Sequence, residues 1–165
     1  MTTGVYSEKG YVTSYTPRLP VLKDDKRLRI VYNASASKKR GQPSPNQLLY
    51  RGMVLLNDIG GLTLLFHSHQ YVCESYVQAA FHCIRIRDQD QDALRFLHWR
   101  DPTKGPVEGN IVIYKFTASP FGLVCSPFIL AACILEMLTR AQSPLAEEIK
   151  NQIYCDNVVL VSDDP

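Results

Sequence analysis

Four residues near the end of this chain of 165 residues constrain its fold more than any other segment. The sequence Tyr154-Cys155-Asp156-Asn157 lies between two short apolar segments, Ile153 on one side and Val158-Val159-Leu160 on the other. Apolar residues on both sides of a short polar turn predict two antiparallel strands joined as a hairpin. The turn would present the carboxylate of Asp156 as a possible metal ligand, and the next residue is an asparagine rather than a second acid.

The cysteines and the apolar segments restrict the class of protein. Five cysteines are scattered along the chain without a Cys-x-x-Cys pair, which argues against a disulfide framework and a structural zinc site. The first twenty residues are polar and lack the apolar core of a signal peptide, and no apolar run is long enough to cross a bilayer. These observations predict an intracellular protein, cytoplasmic or nuclear, that does not bind a membrane.

The charges are divided unevenly along the chain. Residues 1–70 contain ten Lys and Arg against four Asp and Glu, whereas residues 71–165 contain eight against twelve. A basic first part suits the binding of phosphates, and an acidic second part suits the binding of a metal ion. An ordinary solvated surface explains the same distribution, so charge alone leaves the two interpretations open.

Local patterns predict an α+β fold with one mostly antiparallel sheet. Residues 1–14 lack periodicity and are predicted to form a poorly ordered lead-in. Short apolar runs predict strands at residues 20–23, 28–32, 71–76, 94–99 and 111–116. Helices are predicted within residues 48–66, at 127–140 and at 145–151.

The helix at residues 127–140 has the clearest signals. Ser126 is a favourable N-cap, and Pro127 stands at the first helical position, where its missing N–H costs nothing. Because residues 128–135 are apolar throughout, this helix is predicted to be buried on every side over its first two turns.

Seven short motifs follow one another along the chain: Arg29-Ile-Val-Tyr-Asn-Ala-Ser35, Asn46-Gln-Leu-Leu-Tyr50, Arg95-Phe-Leu-His-Trp99, Tyr114-Lys-Phe-Thr117, Pro120-Phe-Gly-Leu123, Ser126-Pro-Phe128 and Tyr154-Cys-Asp156. Their order resembles that of reverse transcriptases, and the chain most resembles those of BEL/Pao-type long-terminal-repeat retroelements. The resemblance covers residues 15–165 and implies a polymerase fingers/palm fold, an antiparallel sheet with packed helices. It implies a fingers-like region at 15–70 and a palm-like region at 71–165, in one continuous domain that is incomplete at its C-terminus.

The resemblance also implies two-metal phosphoryl transfer, in which three carboxylates hold two Mg²⁺ ions roughly 4 Å apart. Asp156 matches the first aspartate of the hairpin, and Asn157 occupies the position of the second. Tyr76 occupies the third position, five residues before Phe81, by the family's Asp-x-x-x-Ala-Phe spacing. Tyrosine is neutral at pH 7, and an amide oxygen is a poor substitute for a carboxylate on Mg²⁺. We therefore expect that Mg²⁺ is not productively bound.

Other acids are poorly placed to restore the missing ligands. Glu74 precedes Tyr76 by two residues and would lie about 7 Å further along the strand. Asp163 and Asp164 follow the turn at a distance of several residues.

Further binding residues follow from the resemblance. It implies that Arg29, assisted by Lys23 or Lys26, binds the triphosphate of an incoming nucleotide. It also implies that Phe81 excludes nucleotides that carry a 2′-hydroxyl. It assigns contacts with the nucleotide and the template–primer to Phe121 and Gly122, and the basic loop Lys38-Lys39-Arg40 suits template phosphates. Each residue also has a simpler interpretation, as a surface arginine, a core phenylalanine, an ordinary turn or a solvated loop.

Three hypotheses about function follow. The first is a reverse-transcriptase-like domain of a retrotransposon polyprotein that has degenerated and lost polymerase activity. The second is an active RNA-directed DNA polymerase that acts on an RNA or DNA template–primer and dNTP. The third is a module that binds nucleic acid or protein without catalysis. The sequence predicts no oligomeric state.

Overall fold

The computed structural model describes residues 5–8, 11–22, 28–37 and 39–164. Lys23 and Lys26, predicted to assist triphosphate binding, and Lys38, predicted to bind template phosphates, lie outside the described residues.

The chain forms two compact units, each built from two separate segments. The first unit comprises Met1–Tyr50 and Phe81–Ser126, and the second comprises Arg51–Ala80 and Pro127–Pro165. This division does not follow the predicted boundary at residue 70. The assignment of residues 15–70 to fingers and 71–165 to palm stays a prediction.

The first unit is built mainly from antiparallel strand pairs. Its strands are β1 (Val5–Glu8), β2 (Tyr11–Ser14), β3 (Arg18–Leu22), β4 (Leu28–Tyr32), β6 (Arg95–Trp99) and β7 (Ile111–Lys115). They pair as β1–β2, β3–β4 and β6–β7, and a short helix α1 (Pro45–Leu48) follows β4. The pairs β3–β4 and β6–β7 join runs that the sequence predicts as strands, whereas residues 5–8 and 11–14, predicted to be part of a poorly ordered lead-in, form the paired strands β1 and β2.

Aromatic side chains and a small apolar core hold the first unit together. The rings of Tyr32 and Phe116 lie edge to face at 4.7 Å, and Phe96 stacks on Tyr114 at 5.5 Å. Ala34, Leu94 and Leu123 form a buried cluster on which Phe116 also packs. Since Leu123 ends the Pro-Phe-Gly-Leu motif, this core anchors one end of the loop that the motif forms.

The second unit contains a three-stranded sheet and the longer helices. Its elements are α2 (Ile59–Ser68), β5 (Tyr71–Tyr76), α4 (Ser126–Ala141, from Pro127 onward), α5 (Pro144–Gln152), β8 (Ile153–Tyr154) and β9 (Asn157–Ser162). A short helix α3 (Ala80–Cys83) follows β5, and only its first residue belongs to this unit. The strand order is β5-β9-β8, and both pairings are antiparallel. Asp58 begins α2 by accepting a hydrogen bond from the amide of Gly61 at 2.6 Å, and Ser143 begins α5 by accepting one from Ala146.

Helix α4 lies where the sequence predicts it but is buried on one face only. Leu130, Ala131, Ile134 and Leu138 are buried, whereas Cys133 is exposed. The prediction of burial on every side was wrong, because a continuous apolar run does not by itself distinguish a surrounded helix from a one-sided one. The hydroxyl of Ser126 lies 3.2 Å from the carbonyl of Pro120, to which it donates, and 3.0 Å from the hydroxyl of Ser119.

The α+β fold class is confirmed, although the described strands form four small sheets rather than one. Only one of these four has three strands, and the others are hairpins. In the described part of the chain, no helix combines the length and the apolar composition needed to cross a membrane.

Gly52 is a position at which any side chain should destabilise the second unit. Its φ is +85°, and a Cβ atom built there overlaps the ring of Phe128. Gly41 has the same φ of +85° but nothing within 4 Å of such a Cβ, so it isolates the cost of backbone strain. We expect Gly41→Ala to lower the free energy of unfolding by about 1 kcal/mol. We expect Gly52→Ala to lower it by a further 1–3 kcal/mol, roughly the cost of overpacking, in urea denaturation. Equal effects would contradict the close approach of Phe128.

Candidate functional site

The predicted hairpin is confirmed as a two-residue turn in the second unit. Tyr154 in β8 pairs with Asn157 in β9, which leaves Cys155 and Asp156 as the central residues. Cys155 has a φ of +57°, and Asp156 is not among the residues with positive φ. A positive φ at the first central residue alone is the pattern of a type II′ turn, where glycine is usual. Cys155 therefore holds a backbone conformation that costs a non-glycine residue about 1–2 kcal/mol.

Strand β5 brings the third predicted position to the same turn. Tyr76 is the direct partner of Asn157 in the antiparallel ladder. The amide of Val77 donates a hydrogen bond to the carbonyl of Asp156 at 2.8 Å. The three positions at which the resemblance expects carboxylates are thus adjacent, and they are occupied by Asp156, Asn157 and Tyr76.

The side chains at these positions do not fit two magnesium ions. Mg²⁺ requires hard, charged oxygen ligands in near-octahedral order. Asp156 supplies one carboxylate, while the amide of Asn157 and the phenol of Tyr76 are neutral. Within the described residues, no three His, Cys, Asp or Glu side chains are grouped so that they could hold a metal ion.

Glu74 and Asp163, the alternative acids for the metal site, lie along the strands at a distance from the turn. Glu74 pairs with Val159, two residues further along the ladder from Tyr76. Asp163 lies beyond the opposite end of β9, where its carboxylate accepts a hydrogen bond from the amide of Gln70 at 3.3 Å. Six residues of strand separate it from Asn157, which corresponds to about 20 Å. Neither position is close enough to share a metal ion with Asp156.

Asn57 supports the hairpin from the side and was not identified from the sequence. Its side-chain amide donates two hydrogen bonds of 2.8 Å, to the carbonyls of Lys150 and Ile153. These carbonyls lie at the end of α5 and the start of β8, so Asn57 fixes the point at which the helix passes into the hairpin. A polar residue directly after the apolar run Val54-Leu55-Leu56 was the available signal.

The thiol of Cys155 lies in a partly buried, mainly apolar environment. Cys155 lines a small cavity of about 90 Å³ together with aliphatic side chains that include Leu55, Ala131 and Ile134. Burial raises the pKa of the Cys155 thiol, and the neighbouring carboxylate of Asp156 raises this pKa further. The thiolate form is disfavoured, so Cys155 should be a weak nucleophile at neutral pH.

In the first unit, the predicted nucleotide-binding residues Phe81 and Phe121 lie in contact. Their rings meet edge to face at 4.9 Å, and the ring of His82 meets Phe121 at 5.2 Å. Phe121 is 56% exposed, so part of its ring remains accessible. His82 was not identified from the sequence, because only the fold brings it against Phe121.

Gly122, also predicted to bind nucleotide, requires the absence of a side chain. Its φ is +91°, and a Cβ atom built there would lie 3.0 Å from the carbonyl oxygen of Tyr32. Glycine is therefore needed at position 122 for two independent reasons. These are its backbone conformation and the close approach of the Tyr32 carbonyl at the end of β4.

The basic residues predicted to contact phosphates are solvent-exposed. Arg29 lies in β4 opposite Val21, and Lys39 and Arg40 lie in the loop that precedes α1. Among the described residues, none of the three forms an ion pair with an acidic side chain. The roles of these three residues stay predictions.

Comparison with known proteins identifies the fold. No protein-family model and no curated protein matches the chain. The native protease–reverse transcriptase of prototype foamy virus matches with a TM-score of 0.58 and 20% identity, over 92% of this chain and 17% of that chain. The foamy viral enzyme in complex with an RNA/DNA hybrid matches with a TM-score of 0.53 and 18% identity, over 90% of this chain and 16% of that chain.

A third structure, the foamy viral protease–reverse transcriptase in complex with double-stranded DNA, matches with a TM-score of 0.51 and 20% identity. It covers 90% of this chain and 22% of that chain. The chain thus spans about a fifth of the length of these structures. At such identities the likeness shows a reverse-transcriptase-like fold, which confirms the predicted fold.

The raised pKa of Cys155 predicts its reactivity as a function of pH. The thiolate is the reactive form of cysteine. The pH at which the rate of alkylation of Cys155 by iodoacetamide rises should therefore be higher in the folded chain than in the chain unfolded in urea. Asp156→Asn should move the profile only part of the way back, because burial is the larger cause of the shift. Peptide mass spectrometry after timed alkylation measures both profiles. Coincident profiles in the folded and unfolded chains would contradict the described environment.

Proposed function

We propose that this chain is a reverse-transcriptase-like domain of a BEL/Pao-type retrotransposon polyprotein that no longer polymerises nucleic acid. The observation that carries the proposal is the pairing of Tyr76 with Asn157 directly beside Asp156. In the family that the sequence resembles, these three positions carry the carboxylates of the metal site. The seven motifs quoted above support the assignment to the BEL/Pao group.

Too little negative charge stands at the turn for two-metal catalysis. Two-metal catalysis needs a cluster of negative charge to hold two divalent cations against their mutual repulsion. One carboxylate at the turn supplies a single negative charge, and the exposed phenol of Tyr76 supplies none at neutral pH. A single carboxylate of this kind binds a divalent cation weakly and leaves no place for a second.

A second function, the binding of nucleic acid, is favoured by the first unit. Its exposed basic side chains and the exposed ring of Phe121 suit a chain of phosphates and bases. Two of the structurally similar proteins were solved with double-stranded DNA and with an RNA/DNA hybrid. Binding of RNA or DNA by this domain would use the first unit and would not depend on the metal site.

The loss of two carboxylates can be tested by restoring them. In a primer-extension assay with Mg²⁺ or Mn²⁺, we expect no extension by the unaltered chain. Activity should appear in the double variant Tyr76→Asp/Asn157→Asp and in neither single variant, because both ions need the full cluster. Extension by the unaltered chain would overturn the proposal.

A measurement of stability accompanies this assay and does not depend on polymerisation. Aspartates at positions 76 and 157 would face each other directly across the ladder beside Asp156, and like charges in this arrangement repel. We expect the double variant to melt at a lower temperature than the unaltered chain without metal, and to regain stability on addition of Mg²⁺ or Mn²⁺. A stabilisation by metal that is equal in both chains would mean that these positions do not form the metal site.

Neutralising the basic loop tests the binding function. The double variant Lys39→Gln/Arg40→Gln should weaken the binding of single-stranded RNA. It should also reduce the slope of log K against log salt by about 1.4, because each lost phosphate contact contributes about 0.7. The control is Lys104→Gln/Arg140→Gln, which removes the same two charges from exposed positions that are paired with Asp101 and Glu136. Equal slopes in the two variants would show that the loop does not contact phosphates.

A further inference from the structure

Asn46 joins three segments of the first unit that are distant in sequence. Its side-chain nitrogen donates hydrogen bonds to the carbonyl of Gly122 at 2.8 Å and to the hydroxyl of Ser35 at 2.9 Å. Its side-chain oxygen accepts a hydrogen bond from the amide of Val124 at 3.0 Å. The backbone amide of Asn46 donates to the carbonyl of Ala34 at 3.1 Å.

The chemistry of these partners fixes the orientation of the side chain. The carbonyl of Gly122 only accepts, and the amide of Val124 only donates, so the nitrogen and the oxygen of Asn46 cannot exchange places. Aspartate lacks the donor that Gly122 needs, and serine is too short to reach both partners. Among side chains of this size, only asparagine offers a donor and an acceptor in this arrangement.

The two residues that Asn46 holds lie on either side of Leu123, at the end of the loop that contains Phe121. Leu123 is itself buried in the apolar core, so the loop is attached both by packing and by hydrogen bonds. Gly122 is further confined by the carbonyl of Tyr32. Phe121 follows Pro120 on the exposed part of the loop, and its ring rests against Phe81 and His82.

We propose that Asn46 is the positioning residue of the loop at residues 120–124, and that it holds Phe121 in place as a stacking surface for single-stranded nucleic acid. The inference rests on the nucleic-acid binding proposed above, and it names the element that carries it. A base stacks well on an aromatic ring only if the ring does not have to be ordered on binding. Asn46 does not touch the ligand; it fixes the conformation of the loop before the ligand binds.

The test measures the binding of a short fluorescein-labelled single-stranded oligodeoxynucleotide to the full chain by fluorescence anisotropy. The variants are Asn46→Ser, Phe121→Ala and the combination of both. We expect each single variant to weaken binding by about fivefold or more, the range for loss of one stacked base. The combination should bind no more weakly than Phe121→Ala alone, because Asn46 acts through the ring.

Asn110→Ser is the matched control. Asn110 also belongs to the first unit, and its side chain makes three hydrogen bonds of 2.8 Å, to the carbonyls of Asp101 and Gly105 and from the amide of Asp101. It is buried and holds a different loop. We expect Asn110→Ser to lower the melting temperature at least as much as Asn46→Ser and to leave oligonucleotide binding unchanged. If Asn46→Ser does not fold, Asn46→Gln replaces it, because glutamine keeps the amide and displaces it by one methylene.

Two binding results would overturn the proposal. One is unchanged oligonucleotide binding by folded Asn46→Ser. The other is that the double variant Asn46→Ser/Phe121→Ala loses as much binding as the two single losses combined. If the unaltered chain binds no oligonucleotide, the binding function itself fails, and hydrogen exchange at the amide of Val124 decides the positioning role. Faster exchange in Asn46→Ser would then support the control of the loop by Asn46, and unchanged exchange would overturn it.

Discussion

The antiparallel pairing of β5 with β9 is the interaction on which the second unit depends. Six consecutive residue pairs, from Tyr71 and Ser162 to Tyr76 and Asn157, fix the register of the two strands. A slip by one residue would exchange the two faces of the strand, so the register also determines what stands beside the turn. It places a neutral pair next to Asp156, where three carboxylates without metal would repel one another. The neutral residues at these two positions avoid that repulsion beside Asp156.

The predicted metal-site positions and the aromatic residues predicted to contact a nucleotide belong to different units. The second unit contains the turn, its strained Cys155, the support from Asn57 and a single carboxylate at Asp156. The first unit keeps an exposed aromatic ring on a loop that is held by hydrogen bonds and by a buried leucine.

Local patterns were sufficient to predict most elements of the fold. The hairpin at Asp156, the helix α5 with its cap at Ser143 and the strand β5 follow from apolar runs and capping residues that lie close together in the sequence. The pairing of β1 with β2 and the one-sided burial of α4 do not, because both depend on packing that no local pattern encodes. The adjacency of Tyr76 and Asn157 was expected only through the resemblance to reverse transcriptases.

The polar residues that organise the two sites were the hardest to predict. Asn57 reaches partners 93 and 96 residues away in sequence, and Asn46 reaches partners 76 and 78 residues away. The local sequence does not show which distant carbonyl and amide groups such an asparagine will bind. His82 is a similar case, because its contact with Phe121 joins two segments that no spacing rule connects.

The interleaving of the two units has a consequence for truncation of the chain. The chain passes between the units after Tyr50, Ala80 and Ser126, so no single deletion from either end removes one unit and leaves the other intact. Loss of the segment after Ser126 would leave strand β5 without its ladder partner β9. The edge of β5 would then be open to association with other chains. A truncated form of the chain therefore has to retain both segments of a unit if that unit is to keep its contacts.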